Sequence, residues 1–321
     1  MDLHLLADNL TNPALLFFIL GLIASQIKSD LEIPRTSSKF ISLYLLLAIG
    51  FKGGQELSHS PITNDILWAL IMGIALAALV PVYTFFILRI RFSLENAGAI
   101  AAAYGSVSAV TFVTAISFLE MEGIEFGGHM VAVMALMEAP SIIVGVLLMR
   151  ICSKKKNKKD KDTSKIVKHA VTNGSVLMIL GSLVIGILAN DAQAADIKPF
   201  TTDIFKGFLA VFLLDMGIES GKKIGALIKK GWFALGFALI IPIINGIFIA
   251  WVSQFVLSEP GDRFLIAILA ASASYIAVPA AMRIAAPKAN PSLYLPMALA
   301  ITFPFNITLG MPLYMYVIQS L

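Results

Sequence analysis

Charge is what this chain has least of. Asp, Glu, Lys and Arg make up only 14% of the 321 residues, against roughly 25% in a soluble domain. Cysteine is nearly absent, and Cys152 alone excludes an intrachain disulfide or a cysteine metal site. Histidine is scarce too. His4, His59, His129 and His169 show no metal-ligand spacing. Nucleotide loops are missing: Gly217-Ile-Glu-Ser-Gly221-Lys222 has three residues between its glycines rather than four, and no strand precedes it. Together these gaps leave no enzyme signature. Without a nucleotide site, uphill work must draw on an ion gradient or a partner.

What fills the chain is hydrocarbon. Residues are 58% hydrophobic, and 66–88, 96–119, 231–258 and 289–321 hold no Asp, Glu, Lys or Arg. Each run is long enough to cross a bilayer, which takes about 20 apolar residues. The fold class expected is an all-α polytopic membrane protein. Ten spans are read near 11–28, 38–57, 66–88, 96–118, 130–150, 170–190, 204–221, 231–257, 263–283 and 293–318. Asp2 and Asp8 with no basic residue before Lys28 do not make a cleaved signal peptide, so the first span is expected to stay.

The net charge of +4 is a topology signal rather than a nucleic-acid signal. Connections 1–2, 3–4, 5–6, 7–8 and 9–10, with their span ends, hold 20 of the 24 Lys and Arg. The positive-inside rule then makes those five connections cytoplasmic and puts both termini outside, in a plasma (inner) membrane. The longest connection, 153–168, is basic and divides the chain into 1–152 and 169–321, each with five spans. An odd number of spans per half inverts the second half relative to the first, giving an inverted-topology repeat. Three landmarks recur at nearly constant offset: Gly50-xxx-Gly54 with Gly217-xxx-Gly221, Ser106-x-Ser108 with Ser272-x-Ser274, and Ala139-Pro140 with Phe303-Pro304. The glycine pairs also serve plain helix packing.

Two polar interruptions mark the site. Gly105-Ser106-Val107-Ser108 and Ala271-Ser272-Ala273-Ser274-Tyr275 lie within spans 4 and 9, where lipid satisfies no exposed backbone group. Such breaks, one per half, point to a transporter's substrate site. Half-helix N-termini favour an anion. The alternative is that these hydroxyls bond one turn back and only bend their helices. Gly105, Ser106, Val107, Ser108, Ser272, Ala273, Ser274 and Tyr275 are the expected substrate contacts. Glu138, an intramembrane acid beside Pro140, is expected to hold a cation or cap amides freed by Pro140. Thr111 and Asn306 offer further oxygens for a cation. Lys52 is the expected counter-ion of Asp215.

LLLAIGFKGG (45–54), YGSVSAVTFVTAISFLE (104–120), ALMEAPSIIV (135–144), LLDMGIES (213–220) and AASASYIAVPAAMRIAAPKANPS (270–292) resemble the sodium-dependent bicarbonate transporter family, SbtA-like. The resemblance covers nearly the whole chain. It implies two inverted five-helix repeats, an elevator-type core of spans 3–5 and 8–10 against a gate of spans 1, 2, 6 and 7, and a homotrimer. It also implies Na⁺ as coupling ion, bicarbonate between the breaks, and a PII-like cytoplasmic regulator. This chain departs from the family pattern with Tyr275 and Glu138 in place of aspartates, with Ala277-Val278-Pro279 for Gly-Pro-Pro, and with Ala109-Val110-Thr111 for Gly-Ser-Thr. The function expected is secondary transport of a small anion, Na⁺-dependent bicarbonate uptake by resemblance. Transport of another small carboxylate, or a non-transporting receptor or regulatory subunit on the same fold, is the alternative.

Overall fold

The structure is a computed structural model that describes residues 11–59, 63–153, 174–228 and 231–321. Its elements are α1 (Pro13–Gln26), α2 (Arg35–His59), α3 (Asn64–Leu88), α4 (Leu94–Gly105), α5 (Ala109–Glu122), α6 (His129–Ile151), α7 (Gly174–Leu188), α8 (Asp191–Lys198), α9 (Phe205–Ile228), α10 (Trp232–Val252), α11 (Pro260–Ala271), α12 (Ala277–Ala285) and α13 (Pro291–Gln319). No strand occurs among the described residues. The basic connection expected over 153–168 falls, beyond Ser153, outside them.

Local chemistry sets the ends. The Asn12 side chain accepts from the Ala14 amide ahead of Pro13. Ser93 caps α4 and Asn290 caps α13 in the same way, satisfying amides that a helix start leaves free. Gly123, at φ 66°, ends α5 in the left-handed conformation that glycine adopts without strain.

Among the described residues five apolar segments reach membrane length: Asn64–Leu88, Leu94–Glu122, His129–Ile151, Trp232–Phe255 and Pro291–Gln319. Leu94–Glu122 includes the α4–α5 break. Their large outward side chains, among them Leu79, Phe86, Ile244 and Phe248, are exposed, as a lipid-facing surface requires.

Helix pairing follows the small residues. α1 packs along α9, and α2 along α7. Gly21 approaches Gly217 in the first pair and Gly54 approaches Gly186 in the second, with no room for a Cβ at any of the four. α3 packs on α4 and α6, while α10 packs on α11 and α13.

The proline inside α10 is compensated by a hydroxyl. Pro242 has no N–H, so the Ala238 carbonyl one turn back is freed. Thr302 Oγ1 donates to that carbonyl at 2.7 Å, and Tyr104 Oη lies 2.7 Å from the same threonine. One chain of hydroxyls thereby ties α4, α13 and α10. α13 contains two wide π-helical stretches, Met297–Thr302 and Asn306–Gly310, flanking Pro304. Such stretches are frequent at functional sites.

The expected pair of Lys52 with Asp215 does not form. Lys52 is paired with Glu120 of α5, and Asp215 accepts from Ser38 Oγ at 2.5 Å. Ser38 and Lys52 are 14 residues apart on α2, about 21 Å along the axis at 1.5 Å per residue. Asp215 is thus held near the other end of the helix.

Candidate functional site

The two breaks touch. α4 ends where Ser106 turns extended (φ −82°, ψ 177°), and α11 ends where Ser272 does so (φ −87°, ψ 170°). From there the segments cross. Ser108 N–H donates to Ser272 Oγ at 3.0 Å, and Ser274 N–H donates to the Ala103 carbonyl at 2.8 Å. Gly105 is required at the crossing, because a Cβ there would overlap the Pro81 ring.

Carbonyls at the breaks are taken up by the protein. Ala102 accepts from the Ser106 amide at 3.0 Å and from Ser141 Oγ at 2.8 Å. Asn245 Nδ2 donates to Ala270 at 3.1 Å, and Asn306 Nδ2 donates to Ala271 at 2.8 Å. Asn306 Oδ1 accepts from Tyr314 Oη at 3.3 Å. Unpaired backbone groups in a membrane interior are costly, and these side chains remove that cost.

What is left over is donor chemistry. Ser108 Oγ accepts from the Thr111 amide at 3.2 Å, and Ser274 Oγ accepts from the Val278 amide at 3.4 Å. A hydroxyl that accepts keeps its hydrogen to donate. Both serines sit at the starts of helices α5 and α12, where the helix dipole favours negative charge. Ser106 Oγ is buried without a hydrogen-bond partner. Tyr275 Oη lies beside Ser108, also buried, and makes no hydrogen bond of good geometry.

A cavity of about 20 Å³ lies between the breaks. That is room for about one water. Its walls are Val107, Ser108 and Ala109 from the first break, Ser274, Tyr275 and Ile276 from the second, Glu138 from α6, Ser42 and Leu46 from α2, and Ser175 from α7. No Lys or Arg lines it. A second cavity of about 1230 Å³ runs alongside, walled by α2, α7 and α9, with Arg35, Lys39 and Lys223 among its lining and Tyr275 and Ile276 on its core side. Ser42, Ser175, Tyr275 and Ile276 border both spaces.

Of the residues expected at the site, Val107, Ser108, Ser274, Tyr275 and Glu138 line the small cavity. Gly105, Ser106, Ser272 and Ala273 build the crossing behind it. Thr111 is buried, its amide on Ser108, and Asn306 is committed to Ala271 and Tyr314. Sequence reasoning missed Ser42 and Ser175. Each is one of several hydroxyls in its helix, beside Ser37 and Ser38 in α2 and Ser182 in α7, and no local pattern distinguishes it.

Helices of membrane length, one of them broken at a cavity that it shares with the α11–α12 break, fit a multi-pass membrane protein. The chain belongs to the Na⁺-dependent bicarbonate transporter superfamily, whose family model matches residues 13–319. This is a family of transporters and not of enzymes. No curated protein matches the chain.

Proposed function

We propose that this protein is a secondary transporter that takes up bicarbonate together with Na⁺, binding the anion between the two breaks. The contact of those breaks across a donor-lined cavity carries the reading. Ser108 and Ser274 offer hydroxyl hydrogens at two helix N-termini, with Ser106 in reserve behind them. An anion held this way has no fixed countercharge. Glu138 in the same wall repels an anion by itself, so a cation between the two removes the conflict. That makes Glu138, the one of the three expected cation ligands that lines the cavity, the leading cation ligand.

An inverted repeat is supported by three features. The crossings start from Ser106 and Ser272 with nearly equal backbone angles. The α1–α9 pair (spans 1 and 7) maps onto the α7–α2 pair (spans 6 and 2) when the halves are exchanged. The packing of α3 on α4 and α6 likewise maps onto that of α10 on α11 and α13. In the proposed elevator, spans 3–5 and 8–10 carry the cavity past the gate formed by α1, α2, α7 and α9. The large cavity beside the gate carries Arg35, Lys39 and Lys223 and, by the positive-inside rule, faces the cytoplasm. Both termini then lie outside. On the family pattern the assembly is a homotrimer, checked by the mass of the detergent-solubilised protein, with a PII-like regulator on the cytoplasmic face.

Purified protein in liposomes tests the transport reading. Labelled bicarbonate uptake should rise with an inward Na⁺ gradient and be lost in Ser106→Leu with Ser274→Leu at normal expression. Uptake indifferent to both changes refutes the site.

A further inference from the structure

The geometry points to Tyr275 as a movable partition that admits the anion from the large cavity, donates to it, and sets its maximum size. This rests on the break cavity being the anion site.

Three observations combine. Bicarbonate has four heavy atoms, whereas the cavity of about 20 Å³ holds about one water. A wall must therefore move to admit the substrate. Tyr275 is the largest of the side chains that border both cavities, and about 1230 Å³ of space lies on its other side to receive the ring. Its hydroxyl is buried beside Ser108 without a hydrogen bond of good geometry, so no strong polar contact holds the ring. The ring rests edge-on against Phe303, centroids 5.9 Å apart at 64°, a contact that guides rotation without a polar latch.

A phenol suits this duty. It is neutral, so it donates to a monoanion without adding a fixed positive charge. It is bulky, so even when turned aside its ring takes space that an alkyl tail would need. Bicarbonate and formate fit beside the turned ring, whereas propionate does not.

Two variants separate the donor from the partition. Tyr275→Phe keeps the ring and removes the O–H. The KM for bicarbonate should rise about tenfold, as expected for one hydrogen bond to a charged group, with propionate still excluded. Tyr275→Ala removes the partition, and labelled propionate should enter the liposomes. Tyr275→Leu, closer in bulk, stands in if the alanine variant is unstable in detergent, and should likewise admit propionate. An unchanged KM in Tyr275→Phe, or a wild-type order of substrates in the alanine or leucine variant, overturns the inference. If that happens while Ser106→Leu with Ser274→Leu still abolishes bicarbonate uptake, the site reading stands and only the role of Tyr275 falls. A wild-type protein that moves none of these acids overturns both.

Discussion

Ser106 and Ser272 end their helices with nearly equal backbone angles, yet their replacement by alanine should act in opposite directions. Ser272 Oγ accepts from the buried Ser108 amide at 3.0 Å and donates to the Leu269 carbonyl at 2.9 Å. Leu269 also receives the Ser272 amide at 3.2 Å and stays satisfied without the hydroxyl. The Ser108 amide does not. Leaving one buried donor unpaired costs about 1–3 kcal/mol, so Ser272→Ala should lower stability by that amount. Ser106 Oγ is fully buried and has no partner to lose. Ser106→Ala deletes an unsatisfied polar atom and should leave stability unchanged or raise it by about 1 kcal/mol. Its effect belongs to binding: loss of one hydrogen bond to an anion should weaken bicarbonate about tenfold. Thermal unfolding in detergent and uptake kinetics in liposomes read the two quantities separately. Equal destabilisation by both substitutions would refute the hydrogen-bond accounting at the crossing. An unaltered bicarbonate KM in Ser106→Ala would refute the assignment of its hydroxyl to the substrate.

Asn306→Ala should destabilise by about 1–3 kcal/mol, because it strips the buried Ala271 carbonyl of its partner, whereas the Tyr314 hydroxyl keeps the Pro242 carbonyl at 3.1 Å; unfolding midpoints in detergent check this. Gly54→Val should cost more than about 3 kcal/mol or prevent assembly, since even a Cβ there overlaps the Leu183 carbonyl of α7; expression and elution profile report it. Glu138→Gln should preserve the fold while removing the stimulation of uptake by Na⁺, measured as the ratio of initial rates with and without the gradient. Lys52→Gln should change stability by no more than about 1 kcal/mol, because the pair with Glu120 is partly exposed, at 38% and 24%.

The sequence made the breaks legible because Ser, Gly and charge-free flanks within a membrane span leave backbone groups that hydrocarbon cannot satisfy. It made the small-residue helix pairs legible for a related reason: Gly50-xxx-Gly54 and Gly217-xxx-Gly221 mark faces where backbones meet. Spacing alone did not say which helix each face meets, and the structure supplies α7 and α1 as the answers. Lys52 shows where reading fails. Its partner depends on which end of a long helix faces which neighbour, and that is decided by packing rather than by spacing. Asn306 and Asn245 show another limit. Their amides serve the carbonyls at the end of α11 from α13 and α10, contacts between residues far apart in the chain that no window of sequence displays.

The crossing also constrains biogenesis. The acceptor for the Ser108 amide is 164 residues downstream, roughly 8–33 s of synthesis at 5–20 residues per second. For that interval the Ser108 amide lacks its acceptor, and only arrival of Ser272 supplies it. Neither half expressed alone should therefore survive quality control, whereas the two co-expressed as separate polypeptides should rescue each other.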